Sequence, residues 1–393
     1  MIRVGFIIND NGDGWTGGLN YLTNLLYAID KVNDRQIEPV LIVSPTTSLK
    51  VLALFPPWQV LRTVLVGGQH RIWTLAQKLC KLLLGRDVLI ERFLKRNCID
   101  VLSHSGSLGR DAVVPTIGWI PDFQHRRMPE LFSPRELAVR DRDFRRIAEQ
   151  CTTVLLSSED ALNDLAKFVP AAVPASRVLH FVAGFAGGAT PVVDEVALRA
   201  RYGIVGPYFH LPNQFWVHKN HRVVIDALAL LKDRGHEVVV TCTGHNKDYR
   251  RPGYFEELVH HAEEQGVTDR FRVLGLVPYE DMVSLMRHSV GVINPSLFEG
   301  WSTTVEETKS LGLTVILSDI PVHREQNPDR GIFFDPCNPQ NLADTLASVL
   351  EQYSIGDRST YQAHAKEYIV ERFSLFGRKY QSLVLEAFLK TKL

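Results

Sequence analysis

The sequence predicts an α/β protein of two domains, each built around a parallel sheet. At 393 residues the chain is long for a single hydrophobic core, which favours two domains. Short apolar segments alternate with helical ones along most of its length, as they do in parallel α/β sheets. The predicted strands of the first half are residues 2–8, 40–43, 60–66, 99–102, 116–120 and 153–156, and those of the second half begin near 208, 237, 271, 291, 314 and 331.

The composition is that of an ordinary soluble globular protein, with 45% hydrophobic and 22% charged residues. Lys+Arg and Asp+Glu both number 44, so net charge does not indicate a nucleic-acid partner. The chain opens on a strand and has no apolar run near the roughly 18–20 residues that span a bilayer, so we expect neither a signal peptide nor a membrane helix. The five cysteines are scattered and form no Cys-x-x-Cys pair, which argues against disulfides and zinc and favours a reducing cytosol. They are Cys80, Cys98, Cys151, Cys242 and Cys337.

The stretch 290–319 combines a buried strand, a polar loop and a short helix. The pattern predicts a helix from Thr303 to Leu311, with Thr303 as its N-cap and Glu306 completing a capping box. Gly312 fits the left-handed position after the helix. A helix N-terminus at the carboxyl end of a parallel strand offers free N–H groups and a partial positive charge, and therefore a site for an anion.

Two carboxylates accompany this predicted anion site. Glu299 lies in the loop before the helix and Glu307 lies in its first turns, with seven residues between them. Carboxylates beside a phosphate-sized pocket suit the hydroxyls of a sugar nucleotide. The helix dipole alone also favours acidic residues early in a helix, so a pair at this spacing also fits ordinary helix chemistry.

The sequence around this pair, Pro-Ser-Leu-Phe-Glu-Gly-Trp at 295–301 followed by Glu307, resembles the signature of family 4 glycosyltransferases. These are retaining, group 1 enzymes of the GT-B fold that use nucleotide sugars. The resemblance implies that Glu299 binds hydroxyls of the donor sugar near the reacting carbon and that Glu307 binds the nucleotide ribose.

The resemblance also implies a domain organisation. Two Rossmann-like domains would face a central cleft, and the last helix would cross back to the N-terminal domain. The N-terminal acceptor domain would comprise 1–190 with about 375–393, and the C-terminal donor domain would comprise 191–374. A Gly-, Ala- and Pro-rich segment at 185–193 fits the linker.

A second match lies at 214–221, Gln-Phe-Trp-Val-His-Lys-Asn-His. By the resemblance Lys219 contacts the donor diphosphate, and Gln214 stands where an Arg often accompanies that Lys. From the residues alone, Asn220 would cap the following helix and Lys219 would be solvated. The resemblance further implies donor contacts from Gly17 and Gly18 (in a glycine-rich turn between the first strand and helix), Gly244, Val277, Gly300, Trp301, Ser302, Thr303 and Thr304.

Acceptor residues are predicted where the strand 116–120 ends. Asp122 and His125 could bind the acceptor hydroxyl or help its proton to leave. Alternatively, Asp122 caps the following turn and His125 is a surface residue. Many members of the family carry a His directly before the Asp, and this chain has Pro121 there. Residues 103–106, Ser-His-Ser-Gly, are a further candidate at the carboxyl end of a strand.

A basic block at 69–97 interleaves Lys and Arg with apolar residues and a Trp. Such a helix can lie on anionic lipid, and it can equally be a solvated face of the domain. We therefore expect a cytoplasmic protein, with peripheral contact at the inner face of the membrane as one interpretation of this block.

The resemblance implies a retaining hexosyltransferase that moves a sugar from a nucleotide diphosphate sugar to a glycan or lipid-linked glycan, in polysaccharide, O-antigen or capsule synthesis. The base, whether GDP, UDP or dTDP, is not distinguished, and no other cofactor is expected. Asp141-Arg142-Asp143 lies in a predicted helix and is interpreted as solvated charge. No metal pair is therefore predicted, and protein donors would neutralise the leaving group. The alternatives are a nucleotide-sugar epimerase or phosphorylase on the same fold, and a non-catalytic carbohydrate-binding relative.

Overall fold

The computed structural model describes residues 1–8, 16–68, 71–184, 193–353 and 355–390. Contacts between Cα atoms divide the chain into two compact units. The N-terminal unit comprises Met1–Gly187 and Glu371–Leu393, and the C-terminal unit comprises Gly188–Val370. The predicted linker lies outside the described residues except for Val193.

The N-terminal unit is built on a seven-stranded parallel sheet of order β3-β2-β1-β4-β5-β6-β7. Its strands are β1 Ile2–Ile8, β2 Ile37–Val43, β3 Gln59–Arg62, β4 Val101–Ser103, β5 Thr116–Ile120, β6 Thr153–Leu156 and β7 Ser176–Val178. Its helices are α1 Thr16–Asp30, α2 Leu49–Leu52, α3 Arg71–Leu84, α4 Val88–Arg96, α5 Gln124–Arg127, α6 Pro134–Gln150 and α7 Glu159–Phe168. The central strands are almost continuously apolar because helices cover the sheet.

The C-terminal unit is built on a six-stranded parallel sheet of order β10-β9-β8-β11-β12-β13. Its strands are β8 Phe209–Leu211, β9 Val240–Thr243, β10 Phe271–Gly275, β11 Val292–Asn294, β12 Val315–Ser318 and β13 Gly331–Phe334. Its helices are α8 Glu195–Tyr202, α9 His221–Asp233, α10 Tyr254–Glu264, α11 Tyr279–His288, α12 Thr303–Leu311, α13 Pro321–Gln326 and α14 Pro339–Glu351. Strand order reverses once in each sheet, between β1 and β4 and between β8 and β11. In open α/β sheets such a switch point is where ligands bind.

The last helix, α15 (Ile355–Leu389), is shared by the two units, and its residues from Glu371 onward pack in the N-terminal unit. Tyr380 and Phe376 are fully or almost fully buried there. A Cβ added at Gly377 would lie 2.3 Å from Ala28 O, so glycine allows α15 to lie close against α1. The predicted return of the chain end to the N-terminal unit is confirmed.

Candidate functional site

The switch point of the C-terminal unit brings together the two loops that carry the motif residues. One loop follows β8 and contains a single 3-10 turn, Val217–Lys219, before α9. The other follows β11 and leads into α12. Leu297 N donates a hydrogen bond to His218 O at 2.8 Å, which ties the two loops to each other.

Lys219 and Glu299 form an ion pair across this switch point, with Nζ 2.6 Å from Oε1. Their side chains are only 14% and 9% exposed. The alternative prediction, that the Lys219 side chain is solvated, is therefore wrong. Asn220 is also not a side-chain cap. Its backbone is left-handed, with φ of 56°, and its side-chain Nδ2 donates to Pro336 O at 2.9 Å instead of capping the helix. The loop therefore turns sharply at Asn220, and the residue before it faces Glu299.

Glu299 is held as a carboxylate. Burial acts to raise its pKa, but the Lys219 ammonium and a hydrogen bond from the Ser296 hydroxyl outweigh burial and hold the pKa below its usual value. A buried anion beside a cation can accept hydrogen bonds from sugar hydroxyls without first losing a proton. It is suited to binding rather than to proton transfer.

Asn294, fully buried at the end of β11, connects the Glu299 loop to the start of α12. Its Nδ2 donates to Ser302 Oγ at 2.6 Å, and its Oδ1 lies 2.9 Å from Ser296 Oγ. Ser296 Oγ in turn lies 2.6 Å from Glu299 Oε1. Sequence analysis did not single out Asn294 or Ser296, although a polar residue inside an apolar strand was the available signal.

The start of α12 differs from the prediction by one residue. Ser302, not Thr303, is the N-cap, and its Oγ accepts from Val305 N. The predicted capping box is wrong because Glu306 is 1% exposed and accepts instead from Gln326 Nε2 at 3.1 Å. The helix bounds and the left-handed Gly312, with φ of 65°, are as predicted.

The position of the N-cap at Ser302 determines which backbone amides of α12 are free to bind an anion. Gln326 Oε1 accepts from Ser302 N at 3.2 Å, so the Ser302 amide is already engaged. Among the described residues we find no hydrogen bond to the amides of Thr303 or Thr304. These two N–H groups, at the positive end of α12, are the donors that remain.

Glu307 is an 8% exposed carboxylate on α12. Within the described part of the chain it has no hydrogen-bond or ion-pair partner. Burial raises its pKa to about 7. An unpaired buried carboxylate is costly, and ligand hydroxyls that donate to it would relieve the cost.

The neighbouring loops are closely packed around Gly244. With φ of 150° and a hypothetical Cβ only 2.4 Å from Asn213 O, this position accepts only glycine without rearrangement. Gln214 Oε1 accepts from His245 N at 2.6 Å, so part of the Gln214 side chain is used to hold this loop. Val277 follows β10, the strand that flanks β9.

Arg250 is a cation near the Lys219 loop that sequence analysis missed. Its side chain is 5% exposed and pairs with Asp248 at 3.1 Å. Its Nη2 lies 3.4 Å from His218 Nδ1, and its guanidinium lies 5.1 Å from the centre of the Trp216 ring. Arg250 follows a different strand, so spacing within one motif could not reveal it.

Each predicted acceptor residue of the N-terminal unit has a hydrogen-bond partner within that unit. Asp122 Oδ1 accepts from Gln124 N at 2.9 Å, as expected for a turn cap. His125 is 1% exposed, which rules out a surface position, and its Nε2 lies 3.0 Å from Asp141 Oδ1. Burial lowers the pKa of His125 more than Asp141 raises it. This location under α6 favours a packing role over direct contact with an acceptor, and Asp141 is not merely solvated.

Gly17 and Gly18 lie in the first turn of α1, which begins at Thr16, rather than in a loop before the helix. Gly17 is exposed, and an added Cβ there would meet nothing within 4 Å. The rest of the predicted glycine-rich turn, residues 9–15, lies outside the described residues. No group of three His, Cys, Asp or Glu side chains in the described ranges is placed to hold a metal.

Comparisons with known proteins agree with this architecture. Residues 207–368 match the family model for group 1 glycosyl transferases. No curated protein sequence matches the chain. The solved structures that are similar over nearly the whole chain include the following three. Anabaena Alr3699/HepE, in complex with UDP and glucose, is 17% identical, with a TM-score of 0.68, and the match covers 98% of this chain and 100% of that one.

The other two are more distant in sequence. A sucrose-phosphate synthase from Thermosynechococcus elongatus is 12% identical with a TM-score of 0.69, covering 99% of this chain and 100% of that one. A glycosyltransferase from Rickettsia africae is 13% identical with a TM-score of 0.67, covering 99% and 98%. At these identities the likeness establishes the fold, and the predicted GT-B fold is confirmed.

Proposed function

We propose that the protein is a retaining family 4 glycosyltransferase that transfers a sugar from a nucleotide diphosphate sugar to a glycan. The observation that carries the proposal is the Lys219–Glu299 pair at the C-terminal switch point, 2.6 Å apart and largely shielded from water. The group 1 model match, which covers the whole of this site, supports the same reaction class. A UDP- and glucose-bound structure among the similar folds makes a UDP-sugar the first donor to test.

In this proposal each group has one task. Lys219 and the amides of Thr303 and Thr304 bind the diphosphate and neutralise the charge that develops on it as the sugar leaves. Glu299 accepts hydrogen bonds from the sugar hydroxyls, and Glu307 accepts them from the ribose. Because protein donors supply the positive charge, we expect transfer without a divalent metal.

A panel of UDP-, GDP- and dTDP-sugars tests this function. We expect slow hydrolysis of one donor without acceptor, release of the sugar with its anomeric configuration retained, and equal rates with and without EDTA. Conversion of a donor into its epimer, or turnover that requires free phosphate, would indicate an epimerase or a phosphorylase. No turnover of any donor, with glycan acceptors present, would contradict an enzyme.

We further propose that the acceptor is lipid-linked and that α3 places the protein on the inner face of the membrane, as expected for polysaccharide, O-antigen or capsule synthesis. One face of α3 carries a row of aliphatic side chains that are 46% to 81% exposed. We call this row the α3 stripe; it consists of Ile72, Leu75, Leu79, Leu82 and Leu83. Its spacing of three, four and seven residues is that of an apolar helix face, which is normally buried.

The charges beside the α3 stripe favour an anionic surface as its occupant. Asp87 and Glu91 are each only 3% exposed. The cations nearby, on α3 and α4, include the exposed Lys78, Arg92, Lys95 and Arg96. Apart from Asp111, an exposed carboxylate beside Gly85 at the end of α3, these side chains form a surface that is apolar and basic, as in helices that lie on anionic lipid. No helix in the described residues is long and apolar enough to cross a membrane.

Liposome sedimentation tests the membrane contact. We expect salt-sensitive binding to vesicles that contain phosphatidylglycerol, and little binding to pure phosphatidylcholine. The double substitution Leu82→Ser/Leu83→Ser should abolish binding. Val205→Ser, at a valine that is 86% exposed in the C-terminal unit, should not change it. Equal sedimentation of all variants would contradict membrane binding by the α3 stripe. Concentration-dependent dimers that the double substitution removes would show that the stripe binds a second copy of the chain instead.

A further inference from the structure

The N-terminal unit has its own switch point, between β1 and β4, and two polar side chains meet across it. Tyr21 lies in the second turn of α1, which follows β1, and His104 directly follows β4. Tyr21 Oη and His104 Nε2 are 2.9 Å apart. This pair occupies the place in its sheet that Lys219 and Glu299 occupy in the sheet of the C-terminal unit. Because ligands of open parallel sheets bind at switch points, a second ligand site is expected here.

The backbone of His104 supports a functional role. Its φ is 52°, in the left-handed region that non-glycine residues seldom adopt. Such conformations persist where the surroundings enforce them, and they are frequent at ligand sites. Here the amide of His104 donates to Ile117 O at 2.8 Å, and its Nδ1 lies 2.8 Å from Ser103 Oγ. The position of His104 is therefore fixed by one hydrogen bond from its backbone amide and by another at its ring Nδ1.

A chain of hydrogen bonds orients the pair. Tyr380, on the returning part of α15, donates its hydroxyl to Ser103 Oγ at 2.7 Å. Ser103 can then donate to His104 Nδ1, which leaves the proton on Nε2 to be donated to Tyr21 Oη. In this tautomer the Tyr21 hydroxyl keeps its own hydrogen, for which we find no acceptor among the described residues. Tyr21 is 3% exposed, so in this tautomer its hydroxyl is a buried donor that a ligand oxygen would satisfy.

Among the described residues, the side chains in ring or hydrogen-bond contact with the pair are aromatic, apart from Ser103, and uncharged. The Tyr21 ring stacks on Trp119 with centroids 4.3 Å apart. His104 and Trp119 are both partly exposed. Burial lowers the pKa of His104 to about 3 and raises that of Tyr21 well above its usual value, so both groups are neutral near pH 7. The cluster offers ring faces and neutral hydrogen-bonding groups, and no cation for a phosphate or carboxylate. It consists of Phe6, Tyr21, Ser103, His104, Trp119, Phe181 and Tyr380.

We propose that this cluster, the β1–β4 subsite, binds an uncharged sugar ring of the acceptor. Tyr21 and His104 are its polar contacts, and Ser103 and Tyr380 are positioning residues that act through His104. The identification of the ring as part of the acceptor rests on the proposed glycosyltransferase function. The binding of an uncharged sugar does not, and it is tested separately.

Saturation-transfer NMR of the full chain with methyl glycosides tests sugar binding. The panel contains uncharged methyl glucosides, galactosides and mannosides, with glucose 1-phosphate as the charged comparison. We expect transfer to at least one methyl glycoside that persists in Glu299→Gln, and that is lost in Tyr21→Phe and in His104→Asn, where asparagine tolerates the left-handed backbone. Tyr27→Phe, which changes another tyrosine of α1, should retain the signal. Absence of transfer in the wild type, or equal transfer in Tyr21→Phe, overturns the proposal.

Steady-state kinetics test the positioning residues. Tyr380→Phe should raise the acceptor KM roughly tenfold, the effect of losing one neutral hydrogen bond, with a smaller change in kcat. Its acceptor-free hydrolysis of the donor should equal that of the wild type, which a general loss of folding would not leave intact. An unchanged acceptor KM, or parallel losses in donor hydrolysis and transfer, would contradict the role of Tyr380. If no donor is turned over at all, the glycosyltransferase function fails, and the NMR result still decides the subsite.

Discussion

Lys219 Nζ and Glu299 Oε1 lie 2.6 Å apart, so these two side chains of the candidate site neutralise each other's charge. Both side chains are largely buried. A donor that binds Lys219 through phosphate and Glu299 through sugar hydroxyls gives each residue a new partner at the same time. A nucleoside diphosphate without its sugar would occupy Lys219 and leave the Glu299 carboxylate without a cationic partner.

A double-substitution cycle should separate stability from activity at this pair. Glu299→Gln and Lys219→Met should each lower activity by an order of magnitude or more. Each leaves the other charge buried and unpaired, so we expect a stability loss of about 1–3 kcal/mol. The double variant should recover much of that stability and none of the activity. Denaturant unfolding and donor hydrolysis measure the two quantities, and additive losses of stability would show that the pair is not coupled.

The pH dependence of stability should show the buried Glu307. Its pKa in the folded state is about 7, above the usual 4.5. The folded state therefore binds the proton more tightly than the unfolded state, and stability falls as pH rises from about 4.5 through 7. A shift of this size corresponds to roughly 3 kcal/mol. The free energy of unfolding of Glu307→Gln minus that of the wild type should grow between pH 5 and 8, and a constant difference would show that the carboxyl is not perturbed.

Donor binding should show the opposite trend. If the Glu307 carboxylate accepts the ribose hydroxyls, its deprotonated form binds best, and the affinity for UDP should rise as pH rises toward and above 7. Glu307→Gln should bind more weakly at pH 8 and with a flatter pH profile. Calorimetric titration of both proteins at pH 6, 7 and 8 measures this. Identical pH profiles for the two proteins would remove Glu307 from the site.

The fold was predictable because its signal is local. Buried parallel strands are continuous apolar runs, which the sequence shows directly. The bounds of α12 are likewise predicted correctly, from the polar loop that follows one such run and from Gly312 after the helix. β7, only three residues long and beginning with Ser176, has no comparable signal and was missed. The N-cap of α12 is Ser302, one residue before the predicted Thr303, and its Oγ also accepts a hydrogen bond from Asn294, eight residues earlier. That contact depends on tertiary structure rather than on the capping pattern.

The candidate site was predictable only where its residues follow their strands directly. Lys219 and Glu299 were assigned from motifs, and the topology then explains their meeting, because β8 and β11 are neighbours. Arg250 could not be found in this way, since its approach to His218 depends on how the loop after β9 folds. His125 shows what position along the chain does not predict. A position just after a strand indicates the correct edge of the sheet, but not whether the side chain faces a ligand or the core.

Replacing Gly244 should destabilise the loops around the candidate site. Gly244→Ala places a Cβ 2.4 Å from Asn213 O in a backbone conformation that alanine avoids, and we expect a loss of about 2 kcal/mol or more. Gly206→Ala is the matched control, because its φ of 72° is also left-handed but an added Cβ there meets nothing within 4 Å. Thermal unfolding should rank Gly244→Ala well below Gly206→Ala. Similar midpoints would mean that the loop relaxes around the new methyl group.

Arg250 should support donor binding through the loop that carries Lys219. Its guanidinium lies 3.4 Å from His218 Nδ1, and its partner Asp248 also accepts from Val217 N at 3.4 Å. Arg250→Lys keeps the charge but loses the planar fork, so the loop should be less well held and the donor KM should rise about tenfold. Arg251→Lys is the control, since that neighbouring side chain is 53% exposed and pairs with Glu257 on the surface. Equal donor KM values for the two variants would show that Arg250 contributes to the stability of the fold and not to donor binding.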